Sequence, residues 1–76
     1  MPHRDHYSAL GVPPTATRGQ IRAAYRRLAR QLHPDARPSD PRAAREFALV
    51  SRAWAVLGDD ARRQAYDERR LRGRFA

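Results

Sequence analysis

A proline-containing corner separates two long amphipathic segments of this 76-residue chain. Pro34 has no backbone N–H, and its ring clashes with the preceding helical turn, so a helix cannot continue through it. Pro34 also disfavours helical backbone angles at the residue before it, His33. The first segment must therefore end near Leu32. The sequence predicts a stiff turn there, with the side chains of His33 and Asp35 exposed.

The segment before the corner has the periodicity of a helix with one apolar face. Thr17 and Gln20 are three residues apart ahead of an apolar run, which is the pattern of a capping box. We expect this helix to span about residues 18–32. Its apolar stripe, at about 100° per residue, consists of Ile21, Tyr25, Leu28 and Leu32.

The segment after the corner has a matching apolar seam. Asp40 and Pro41 are typical of the cap and the first position of a helix, and the helix is expected to span about residues 41–57. Its seam consists of Ala43, Phe47, Val50, Trp54 and Leu57. Because short connections favour antiparallel neighbours, the two segments should form a helical hairpin, with the three aromatic side chains of the stripe and the seam in its core.

Two shorter helices are expected at the ends of the hairpin. Residues 5–10 can form a short N-terminal helix that ends at Gly11, and residues 61–67 a short C-terminal helix capped by Asp59. The stretch 1–4 should be a flexible N-terminus, and 69–76 a basic tail or linker. No strand pattern or repeat is present, so the sequence predicts one all-α domain.

Composition narrows the classes of function. The net charge is +8, all sixteen basic residues are arginine and there is no cysteine. A disulfide framework and a thiolate metal site are therefore excluded. No apolar run approaches the length of a membrane span, and we expect a cytoplasmic location. The positive charge favours an acidic protein, a nucleic acid or an anionic membrane as partner.

The arginines of the first long segment lie mostly on the face opposite its apolar stripe. Arg22, Arg26 and Arg30 follow one another along that face, with Arg18 and Arg27 at its margins. Like charges four residues apart repel one another, and the segment contains no carboxylate. The face is either a solvated surface or a docking surface for an acidic partner, and the pattern alone leaves both interpretations open.

Five motifs in order resemble the J-domain of the DnaJ co-chaperone family. Residues 5–12 (DHYSALGV) are similar to the family's D-Y-Y-x-x-L-G-V, and 21–29 (IRAAYRRLA) to its I-K-x-A-Y-R-K-L-A. Residues 33–35 are its His-Pro-Asp signature. Residues 47–57 resemble F-x-x-I-x-x-A-Y-x-x-L, and 63–67 (RQAYD) complete the pattern. The resemblance covers nearly all of residues 5–67, and we predict that residues 5–68 are the J-domain.

The resemblance implies a partner domain without catalytic activity or a cofactor of its own. J-domains bind DnaK-type (70-kDa heat-shock) chaperones and stimulate their ATP hydrolysis. The motif positions imply that the chaperone is contacted by His33, Pro34, Asp35, Arg22, Tyr25, Arg26 and Arg27. A client-binding region would lie outside this chain, and the domain is expected to be a monomer. Ala36 and Arg37 depart from the family, which usually has a basic residue directly after the signature. This departure bears on which chaperone is bound and how strongly.

Three other functions were weighed. A small basic helical module that binds nucleic acid fits the charge, but no pattern of base-reading Asn or Gln accompanies it. An acid–base enzyme would use His33 beside Asp35, but a nucleophile and a chain long enough for a pocket are missing. A metal site could draw on His3, His6 and His33, but no ligand spacing supports it, and no metal is expected.

Overall fold

The computed structural model describes residues 5–75, and the side chains of residues 5–73. These residues form four helices: α1 (His6–Leu10), α2 (Arg18–Leu32), α3 (Pro41–Leu57) and α4 (Asp60–Phe75). The described part of the chain contains no strand, so the predicted all-α class is confirmed. None of its helices has the length and apolar character needed to cross a membrane.

Local sequence signals set the starts of α2 and α3 and the end of α1. Thr17 accepts a hydrogen bond from the backbone N–H of Gln20 at 3.1 Å, and the side chain of Gln20 accepts one from the N–H of Thr17 at 2.9 Å. Asp40 accepts from two backbone N–H groups at the start of α3. Gly11 has a left-handed backbone with φ of 69°, a region that glycine enters without steric cost. The predicted bounds of both long helices are confirmed.

The core is formed by α1, α2 and α3 together. α3 packs against α2 as the predicted hairpin and equally against α1. The largest fully buried side chains are Tyr7, Leu10, Ile21, Val50 and Leu57. Two of these five come from α1, so this five-residue helix is an integral part of the core. Leu49, off the predicted seam, is also partly buried against this core.

The three aromatic residues predicted for the core are only half-buried. Tyr25 and Trp54 pack against the buried cluster from its edge, whereas the ring of Phe47 lies against the imidazole of His33. The small residues Ala24 and Ala53 are buried in the middle of the helices instead. The middle of each helix is therefore buried through small side chains, while the three rings stay half-buried.

α4 is longer than the short C-terminal helix that the sequence predicts. Its 16 residues include 69–75, the stretch predicted as a tail or linker. Arginine and leucine favour the helix, and Asp59 caps it by accepting from the N–H of Arg62 at 2.9 Å. The helix therefore continues past residue 67, where the sequence predicted its end. Whether it also serves as a linker stays a prediction.

Contacts between α1 and α4 hold the last helix on the body. Tyr7 Oη donates to Asp67 Oδ1 at 2.6 Å and accepts from Arg63 Nε at 3.1 Å. Burial and the bond to Asp67 raise the pKa of Tyr7. Arg70 pairs with Asp5 at 3.1 Å. Burial alone would raise the pKa of Asp5, but its hydrogen bonds from Ser8 and the positive charge of Arg70 lower it.

Candidate functional site

The His-Pro-Asp turn closes the C-terminus of α2 with backbone hydrogen bonds. The N–H of His33 donates to the carbonyl of Ala29 at 2.9 Å, after which the backbone becomes extended (φ −57°, ψ 142°). The carbonyl of His33 then accepts from the N–H groups of Ala36 and Arg37, at 2.9 and 3.0 Å. Pro34 ends the helix, and these two bonds fix the path of the chain directly after the motif.

The imidazole of His33, although half-exposed, supports the turn through a hydrogen bond to its backbone. Its Nδ1 accepts a hydrogen bond from the backbone N–H of Asp35 at 3.2 Å, so the neutral ring carries its proton on Nε2. The Oδ2 atom of Asp35 is 3.7 Å from Nδ1, which is too long for a hydrogen bond. The ring of Phe47 meets the imidazole edge-on, with centroids 5.6 Å apart. His33 therefore orients the turn and links it to α3.

The carboxylate of Asp35 is directed into solvent. Its side chain is 95% exposed, and no described residue donates a hydrogen bond to it. A carboxylate has lone pairs for several donors, including the paired N–H groups of an arginine. Because the turn behind it is fixed, this acceptor is held at a defined position and is free to bind a group from another molecule.

A continuous basic face lies along the exposed side of α2. Arg22, Arg26, Arg27 and Arg30 are exposed and line one shallow depression, and the small residues Gly19 and Ala23 leave it open. No carboxylate of residues 5–75 forms an ion pair with any of the four arginines. Their charges therefore remain available to an anionic partner, whose binding would also reduce the repulsion among the arginines.

Tyr25 joins this face to the core. Its ring stacks on Trp54 with centroids 4.8 Å apart and an interplanar angle of 8°. Gly58 makes room for Trp54, since a Cβ atom at Gly58 would lie 2.9 Å from the indole Cδ2. Tyr25 is half-buried and adjacent in sequence to Arg26, so it combines packing with partial exposure beside the basic face.

Comparison with known protein families gives one match, to the DnaJ domain, over residues 5–67. The chain belongs to the DnaJ domain family. It is 54% identical to chaperone protein DnaJ 2 of Nocardia farcinica over 67 residues, which are 88% of this chain and 17% of that protein. It is 46% identical to chaperone protein DnaJ of Deinococcus proteolyticus, over 90% of this chain and 22% of the relative.

A similar match is found with chaperone protein DnaJ of Chlamydia trachomatis, which is 49% identical over 95% of this chain and 18% of the relative. The chain thus spans about a fifth of the length of the curated relatives that it matches.

In this DnaJ domain the structure brings the predicted site residues together along α2 and the turn that follows it. The sequence analysis placed Arg30 on the basic face but not among the residues expected to contact the chaperone, and it assigned Phe47 to the core and not to a contact with His33. The position of Arg30, three and four residues after Arg27 and Arg26, would have supported adding it to that set. The contact of Phe47 could not have been predicted, since it joins residues fourteen positions apart across the hairpin.

The histidines weighed as metal ligands lie in different parts of this DnaJ domain. His6 packs on the ring of Tyr66 at 4.6 Å, on the side of α4, while His33 lies at the end of α2. His3 is outside the described residues. Among those that are described, no three His, Cys, Asp or Glu side chains are grouped as metal ligands.

Proposed function

We propose that this DnaJ domain is a co-chaperone module that binds the ATP-bound form of a DnaK-type chaperone and stimulates its ATP hydrolysis. The observation that carries the proposal is an unpaired basic face that ends at a fixed, exposed carboxylate. The arginines of the face form no ion pair and the carboxylate accepts no hydrogen bond within the described chain, and both have the chemistry of a protein interface. The relatives are named chaperone protein DnaJ, which agrees with this function.

The basic face would supply attraction and affinity. Arg22, Arg26 and Arg27 can steer the domain toward an acidic surface of the chaperone, and complementary charge raises association rates. Tyr25 would add partly desolvated contact area at the same face, because its ring is already held by Trp54. Little side-chain entropy is then lost when Tyr25 is covered.

The turn would supply the stimulating contact. Asp35 can accept a charge-assisted hydrogen bond from a cationic side chain of the chaperone, with His33 and Pro34 holding the carboxylate in position. A ligand shifts a conformational equilibrium only by binding one state more tightly. We infer that Asp35 contacts a cation that is correctly placed in the hydrolysis-competent state of the chaperone. The domain contributes no reacting group itself.

The first test is single-turnover ATP hydrolysis by candidate DnaK-type chaperones, with and without this domain. Asp35→Asn should leave folding intact, because the carboxylate is 95% exposed and accepts no hydrogen bond from a described residue, and should abolish stimulation. Glu68→Gln, at an exposed carboxylate of α4, is the matched control and should stimulate like wild type. Full stimulation by Asp35→Asn would contradict the assigned role of the carboxylate.

The second test is charge reversal on the basic face. Arg26→Glu should weaken binding roughly tenfold at low salt, and the effect should shrink as salt screens the charges. Arg52→Glu, on the opposite side of α3 from the apolar seam, is the control. Binding of Arg26→Glu that equals the control at low salt would argue against docking through α2. Tight, salt-dependent binding to duplex DNA, with no effect on any chaperone, would favour the nucleic-acid alternative instead.

A further inference from the structure

Arg30 lies at the junction between the basic face and the His-Pro-Asp turn. It is in the last turn of α2 and lines the depression shared by Arg22, Arg26 and Arg27. It also lines a second open depression, whose other lining residues are Ala29, His33, Asp35 and Ala36. In the described chain, Arg30 is the cation common to both depressions.

Arg37, the other arginine near the turn, is engaged elsewhere. Its Nε donates to the backbone carbonyl of Gln31 at 3.2 Å, and its side chain lines a separate apolar hollow with Leu32 and Pro34. Its guanidinium therefore caps the C-terminus of α2. Arg30 makes no hydrogen bond or ion pair with residues 5–75, so it is the cation that remains free on the side of Asp35.

We propose that Arg30 is a docking and specificity-determining residue that binds a carboxylate of the chaperone, next to the cation that Asp35 contacts. This inference rests on the function proposed above. Ala29 and Ala36 are small, so the space between the guanidinium of Arg30 and the carboxylate of Asp35 is open to a side chain from outside. The corner then presents a positive and a negative group side by side, which selects a partner surface with the opposite pair.

The charge pattern of this depression favours a protein partner. A phosphate-rich strand or an anionic membrane that approached Arg30 would also approach the carboxylate of Asp35, which is 95% exposed and repels it. A protein surface can place a carboxylate opposite Arg30 and a guanidinium opposite Asp35. A partner that places a cation opposite Arg30 or an anion opposite Asp35 is repelled, so the two charges discriminate against it.

The experiment compares Arg30→Gln and Arg30→Glu with the same two substitutions at Arg52. Each 76-residue variant is titrated against an ATP-loaded DnaK-type chaperone that the wild-type domain stimulates. The titration gives both the apparent Kd and the single-turnover rate at saturation. Thermal unfolding followed by circular dichroism shows whether each variant is folded. If Arg30→Glu impairs folding, Arg30→Gln still provides the test.

Arg30→Gln should weaken the Kd about twofold to fivefold, as expected for one exposed ion pair. Arg30→Glu should weaken it roughly tenfold or more at low salt, because it replaces attraction with repulsion. The rate at saturation should stay that of wild type, since Asp35 is intact. Both Arg52 variants should bind like wild type.

Two results would overturn the inference: a Kd of Arg30→Glu equal to that of Arg52→Glu at low salt, or a lowered rate at saturation with an unchanged Kd. The second would make Arg30 a support of the turn instead of a docking residue. Failure of the inference is distinguishable from failure of the proposed function. If only the inference fails, the wild-type domain still stimulates hydrolysis and Asp35→Asn does not. If the proposed function fails, the wild-type domain stimulates none of the candidate chaperones.

Discussion

Gly58→Ala should destabilise the domain, although alanine favours helical structure. Gly58 caps α3 with an ordinary right-handed backbone (φ −81°, ψ −7°), so backbone strain does not require glycine there. A side chain is disfavoured at Gly58 because atoms of Trp54 lie very close to it. A Cβ atom would lie 2.7 Å from the carbonyl oxygen of Trp54 and 2.9 Å from its indole Cδ2. Real Cβ contacts are longer, so Trp54 must move.

The change in the free energy of unfolding follows from two stabilising contributions and one destabilising contribution. The added methyl group gains about 0.8 kcal/mol from burial, and replacing glycine can gain up to about 1 kcal/mol within a helix, less at its cap. Forcing a methyl group against a packed ring and a carbonyl costs about 1–3 kcal/mol. We expect a net loss near 1 kcal/mol. For a domain of this size, that lowers Tm by about 4–8 °C.

The assay has an internal reporter, because Trp54 is the single tryptophan of the chain. Thermal unfolding gives Tm, and the native emission spectrum reports whether the indole has left its stack on Tyr25. Gly73→Ala is the control, since nothing lies within 4 Å of its Cβ position. That variant should gain about 0.5–1 kcal/mol. A Gly58→Ala domain as stable as wild type, with unchanged emission, would refute the reasoning.

Two further predictions concern the contacts of α1 and α4. Arg63→Met should cost about 1–3 kcal/mol of unfolding free energy, because Arg63 donates to Tyr7 Oη and, at 2.7 Å, to the carbonyl of Ala16. Urea denaturation measures this cost, and Arg62→Met, at a more exposed site, should lose less; equal losses would count against the network. Burial lowers the pKa of His6, which outweighs the opposite effect of Asp5. The unfolded chain therefore takes up a proton first as the pH falls below about 6.5, and stability should decrease in that range. His6→Gln should flatten the dependence of Tm on pH between about 7.5 and 5.5, and an unchanged slope would exclude His6 as its source.

Local chemistry in the sequence determined the element boundaries. The capping box of Thr17 and Gln20, the Asp40-Pro41 start and the proline of the corner act within a few residues of themselves. No distant contact is needed to read them, so the bounds of α2 and α3 were predictable. The exposure of Asp35 was predictable for the same reason, because Pro34 forces the chain out of the helix there.

The sequence alone misjudged the last helix. The arginine-rich stretch 69–75 was predicted as a tail because its charges suggested solvation. Solvation and helix formation are compatible, and α4 continues through this stretch after Arg70 pairs with Asp5, sixty-five residues earlier in the chain. The predicted helix ended at residue 67 because this long-range contact could not be read from the sequence.

Tertiary structure alone decided how the candidate site is supported and which of its charges are free. The ring of Phe47 packs on His33, and the ring of Trp54 stacks on Tyr25. Arg37 donates a hydrogen bond to the backbone of α2, whereas Arg30 is exposed near Asp35. The two ring contacts depend on how α2 and α3 are rotated against each other, whereas the position of Arg37 depends on how the chain turns after α2. A sequence pattern gives the face on which a side chain lies, but its partner across the hairpin is fixed only when the helices pack.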